Sequence, residues 1–172
     1  MLLKTDTPRP TFASVFADTA EQDVLFWISK QEAELGKDAF KRFIDTLPDD
    51  ATQMRKLLES LSAGNKKADA FVYCEQLKNV LGWPVNGDLA IVFLDAFKIV
   101  NGSALRRRTI EWVMKTGTRF DRKPGDEITF YDQDKHSNRR ATVVEVDRPV
   151  ARAKVKVTGD VTLDIPVEVL VA

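Results

Sequence analysis

In Ala151-Arg152-Ala153-Lys154-Val155-Lys156-Val157-Thr158-Gly159-Asp160-Val161-Thr162-Leu163-Asp164-Ile165, apolar and charged side chains alternate on either side of a Thr-Gly-Asp turn. Alternation at a period of two is the pattern of a half-buried strand, and two such runs around a glycine turn form a hairpin. Ala151, Ala153, Val155 and Val157 are expected to face a core with Val161, Leu163 and Ile165, leaving Arg152, Lys154 and Lys156 outside.

Upstream, Ile128, Phe130 and Asp132 share one face of a first strand, and a polar turn spans Asp132 to Asn138. Ala141, Val143 and Glu145 alternate with Thr142, Val144 and Val146 in a middle strand, which Asp147-Arg148-Pro149 ends. Downstream, Pro166 cannot donate to a ladder, so it breaks the strand before a short final one.

Before Thr118 the period is helical. Thr19 is a candidate cap for a helix over 20–35 that carries Val24, Trp27, Ile28 and Leu35 on one face and stops at Gly36. Phe12, Val15 and Phe16 suit a short helix or a packed arm. Phe40, Phe43, Ile44 and Leu47 repeat the i, i+3, i+4, i+7 spacing, as do Met54, Leu57, Leu58 and Leu61 between an Asp49 or Asp50 cap and Gly64. Ala70 to Leu81 repeats it again, up to Gly82-Trp83-Pro84. Asp88 to Val100 is apolar on nearly every side, which predicts a central helix. Asn101-Gly102 reads as a turn, with Ser103 capping a last helix that Gly117 stops.

The expected fold is α+β: an all-α bundle of five or six helices over 1–117, then a five-stranded SH3-like β-barrel over 118–172. A compact bundle is favoured over a helical-repeat array, because the amphipathic spacing recurs without a repeated residue signature.

Three segments carry a resemblance to known proteins: Lys123-Pro124-Gly125-Asp126-Glu127-Ile128 as the entry turn, Ala141-Thr142-Val143-Val144-Glu145-Val146 as middle strand, and Ile165-Pro166-Val167-Glu168-Val169-Leu170 as closing turn and strand. Together they make the last third similar to the SH3-like small barrels of the Tudor and KOW type. The resemblance implies a binding module. Phe120, Phe130 and Tyr131 are the region's aromatics, too few for an aromatic cage once Phe130 is assigned to the core.

Charge narrows the partner classes. The 26 basic and 26 acidic residues cancel, and each part of the chain is neutral by itself: 16 of each sign before Thr118, and 10 of each from there on. Any nucleic-acid contact must therefore come from a local patch. Two are available. Arg106 and Arg107 belong to an Arg-Arg-Arg run whose members point about 100° apart on a helix, so two at most meet one ligand. Arg139, Arg140, Arg152, Lys154 and Lys156 would line neighbouring strands at a pitch suited to phosphates. Trp83, beside Pro84, is the candidate protein-binding anchor.

Catalytic and metal signatures are missing. His136 is the sole histidine and Cys74 the sole cysteine, which rules out an ordinary zinc site and an intramolecular disulfide. No phosphate-cradling glycine motif or nucleophile elbow occurs. Asp49-Asp50 and Asp126-Glu127 read as a helix cap and a barrel entry. The expectation is a non-enzymatic cytoplasmic protein needing no cofactor, metal or membrane, whose barrel contacts nucleic acid or a nucleoprotein complex. The alternative is a protein-interaction or assembly subunit without direct nucleic-acid contact.

Overall fold

The computed structural model describes residues 7–63 and 69–171. They group by contact into two units, one of helices within 10–105 and one joining 7–9 to 106–171. The expected stop at Gly64 lies outside the described residues.

In the helical unit, α1 runs Phe12–Leu35, longer than the sequence suggested. Its cap is Thr11, whose hydroxyl accepts from the Ser14 amide at 3.1 Å while the Ser14 hydroxyl accepts from the Thr11 amide at 3.0 Å. No glycine or proline interrupts 12–20, so the helix propagates through Thr19. The Thr19 hydroxyl instead donates to the Val15 carbonyl one turn back. Gly36 ends α1 at φ 76°, a backbone angle that other residues rarely adopt, and α2 (Lys37–Ile44) starts at once. Helix α3 (Ala51–Ala63) begins where Asp50 accepts from the Gln53 amide. Helix α4 (Ala70–Leu81) is capped by Asp69, and α5 (Gly87–Ile99) by Asn86. The Asn86 side chain also accepts from Trp27 Nε1 at 2.9 Å and donates to Glu34 at 3.1 Å.

Asn101-Gly102-Ser103 does not break the chain. Val100–Ala104 forms a π turn that continues α5 into α6 (Leu105–Thr116), so the described residues contain five helical rods, the last one bulged. The core of this unit is aromatic: Phe16 stacks on Phe97 at 4.8 Å, and Tyr73 meets Phe97 edge-on at 5.1 Å. A second cluster stacks Trp27 on Trp83, with Phe43 edge-on to both. Helix α5 is not wrapped on all sides, since Ile91, Leu94 and Ile99 are exposed in this chain.

The second unit carries a four-stranded antiparallel meander in the order β1-β2-β3-β4: β1 Glu127–Asp132, β2 Ser137–Asp147, β3 Arg152–Val157 and β4 Val161–Pro166. The five-stranded barrel is not what forms. After β4 a 3₁₀ turn, Val167–Val169, takes the place of a strand, and the chain returns to β1 through a single bridge, Leu170 to Phe130, where the Val171 amide donates to the Thr129 carbonyl at 2.9 Å. The sheet is therefore not closed. A bulge between Val143 and Glu145 also breaks strict alternation: Glu145 pairs with Lys154 and Val146 with Ala153. This puts Val146 against the core and leaves Val144 half exposed, where straight alternation would have turned Glu145 inward. Phe120, Ile128, Phe130, Val143, Val155 and Ile165 fill the core, and Val113 of α6 packs on it.

Candidate functional site

The outer face of the sheet is a ladder of paired charges. Lys154 donates to Glu145 on β2 at 2.6 Å, and Arg152 to Asp164 on β4 at 3.0 Å. Lys156 reaches Asp160 at 2.5 Å across the hairpin turn. Glu145 raises the pKa of Lys154, chiefly through that hydrogen bond. Arg106 on α6 forks onto Asp147 at 2.6 and 3.1 Å. Arg139 donates to Asp132 at 2.8 Å, which holds that carboxyl below its ordinary pKa. Arg139 also lies on the opposite side of β2 from Arg140, because neighbours on a strand alternate.

The expected row of phosphate-facing cations is thus divided and largely neutralised. Of the two basic sets, Arg107 in the helical run and Arg140 in the strand row stand exposed with no carboxylate at salt-bridge distance among the described residues. Trp83 is 1% exposed and enclosed by Trp27 and Phe43, so it anchors the helical core and presents no surface to a partner.

A different feature stands out in the same unit. The C-terminal end of α6, the loop after it and the turn before β3 enclose a groove of about 610 Å³. Val113, Met114, Phe120 and Pro149 supply apolar wall, while Arg119, Lys123 and Arg148 contribute cations against one carboxylate, Asp121. Met114 is 78% exposed, an unusual setting for a thioether side chain that adapts readily to irregular partners.

Local chemistry fixes these walls. Gly117 ends the helix, and the Thr116 and Thr118 hydroxyls bond each other at 2.7 Å. The Lys123-Pro124-Gly125-Asp126 turn closes when Asp126 accepts from the Lys123 amide at 2.8 Å. Gly125, at φ 94°, donates its amide to the Val143 carbonyl at 2.8 Å, and the Val143 amide donates to the Asp126 carbonyl at 2.9 Å, which ties the turn to β2. The sequence marks Asp147-Arg148-Pro149 only as the turn that ends a strand, and it gives Met114 no role. An exposed methionine on a helix followed by a basic loop is a faint signal, interpretable only once the fold brings Arg148 beside it.

The sequence also concealed Arg9. Its guanidinium bonds both oxygens of Glu168 at 2.6 and 2.9 Å, donates to the carbonyls of Val150 and Ala151, and lies 4.8 Å from the centre of the Trp112 ring. Trp112 Nε1 donates to the Thr7 carbonyl. This cluster is structural: Arg9 makes four hydrogen bonds within the chain and holds 7–9 against α6 and the end of the sheet.

Nothing in the site has the form of a catalytic constellation. Among the described residues no group of three or more His, Cys, Asp or Glu side chains could hold a metal ion, and no helix is long and apolar enough to cross a membrane. His136 sits exposed in the β1–β2 turn at φ 48°. Burial pushes the Cys74 thiol up to about 11, the opposite of an activated nucleophile. No protein-family profile, curated protein or solved structure matches this chain.

Proposed function

We propose that the chain is a non-enzymatic protein-interaction subunit whose groove between α6 and the 148–149 turn receives an acidic, apolar-anchored segment of a partner protein. The observation that carries this reading is the combination of exposed Met114 and Pro149 with Arg119, Lys123 and Arg148 around one concavity. An apolar side chain entering the groove would gain burial, while carboxylates flanking it would meet guanidinium and ammonium groups. Arg152, Lys154 and Lys156 on the outer sheet face already have carboxylate partners, and a phosphate would have to displace them.

Selection of displayed peptides on the full chain tests the reading. Peptides with leucine or phenylalanine between acidic residues are expected to enrich, and Lys123→Glu with Arg148→Glu should abolish their binding. A selection with no enrichment, or one indifferent to both substitutions, would overturn it.

The nucleic-acid reading keeps one specific support: Arg107, Arg140, Arg119, Lys123 and Arg148 are exposed cations. On that reading anisotropy of short DNA or RNA would show binding that weakens steeply with salt. Absence of binding at low salt removes it.

A further inference from the structure

We propose that the exposed face of α5 is a self-association surface that a second copy of this chain covers, the two helices packing antiparallel. Leu89, Ala90, Phe93, Ala96 and Phe97 of α5 face the core of its own unit. Its other face presents Ile91 at 56% exposure, Leu94 at 37% and Ile99 at 52%, with Asp95 and Lys98 among them. One helix with apolar side chains on both faces, three of them exposed to water, lacks a covering element.

Charge identifies the occupant. Asp95 and Lys98 lie three residues apart on this stripe and, among the described residues, pair only with each other, at 2.9 Å, both more than half exposed. A partner surface of one sign would attract one of them and repel the other. A second copy turned end for end satisfies both, because a two-fold axis between positions 95 and 98 sets each Asp95 against the other chain's Lys98. Such an interface is isologous and closes at two copies. The same axis sets Ile91 opposite Gly102, which is exposed and has nothing within 4 Å of where a Cβ would be, leaving room for the isoleucine.

Sedimentation equilibrium of the full chain from about 5 to 200 µM tests this, since a single helix face is a small interface with weak affinity. The 19.4 kDa chain is expected to shift toward its dimer mass across that range. Asp95→Lys and Lys98→Asp, each helical by circular dichroism, should each weaken association by roughly tenfold or more through like-charge contact. An equimolar mixture of the two variants should associate again, because each supplies the sign the other lacks. A wild-type chain that stays monomeric throughout, charge variants that associate like the wild type, or a mixture that fails to recover would overturn the proposal.

Discussion

The Arg9 guanidinium grips the Glu168 carboxylate with two parallel bonds, Nε to Oε1 at 2.6 Å and Nη2 to Oε2 at 2.9 Å, across 159 residues of chain. Both side chains are mostly buried, at 15% and 20% exposure, and Arg9 donates to two further backbone carbonyls. Removing the arginine leaves those acceptors and a carboxylate without their donors. Arg9→Ala is expected to cost about 2 kcal/mol, below the full penalty of a dry pair because some water reaches it. Arg9→Lys should recover less than half, since ammonium cannot reproduce the fork. Urea unfolding followed by circular dichroism measures both.

The Arg106–Asp147 bond has a pH signature. Its hydrogen bond holds the Asp147 carboxyl below the ordinary carboxylate range, against a smaller opposing effect of burial. A depressed folded-state pKa means that the stabilisation is present above the unfolded value and is lost as pH falls through the folded one. The window therefore lies below about pH 4. Carbon-detected NMR titration should place Asp147 under the unfolded reference, and Arg106→Gln should return it to the ordinary range.

Tyr73 is fully buried, and among the described residues its hydroxyl has no hydrogen-bond partner. Burial raises its pKa; the nearby Ser62 hydroxyl lowers it a little but donates to the Leu58 and Glu59 carbonyls. Tyr73→Phe keeps the edge-on contacts with Phe16, Phe93 and Phe97 and removes the lone hydroxyl. Its expected effect on thermal stability is within about 0.5 kcal/mol of zero, or stabilising. Tyr73→Ala, which empties the cluster, should cost about 3 to 5 kcal/mol.

Cys74 is 6% exposed and its thiol is pushed up to about 11 by burial. Raised above its unfolded value, it contributes stability that is complete at neutral pH and fades as pH climbs through that folded value. Reaction with an aromatic disulfide reagent at pH 8 should be slow in the native protein. It should accelerate with urea in step with unfolding.

Much of the architecture was legible because periodicity is a local property. The strands of 127–166, the 158–160 turn and the stripes of α2, α3 and α4 all lie in side-chain spacing. What escaped depends on events between distant residues. Asn101-Gly102 has the composition of a turn, yet Val100 and Ala104 are buried and hold the helix through a π turn. The bulge at Val143/Glu145 cannot be read from alternation, and it sets which carboxylate meets Lys154. The basic residues were visible as a row; their acidic neighbours on β2 and β4 were visible too, but the pairing needs the register. Arg9 lies in a proline-flanked arm, where nothing local announces that it reaches Glu168.

The interaction reading meets its most direct test in methyl NMR of the full chain labelled at methionine. Met114 stands 78% exposed in the groove while Met54 is 3% exposed in the helical core. Titration with a short peptide carrying leucine between glutamates should move the Met114 methyl resonance and leave Met54 in place, with a smaller effect in Lys123→Glu. A Met114 resonance that ignores the peptide and moves with a single-stranded oligonucleotide instead would contradict the account.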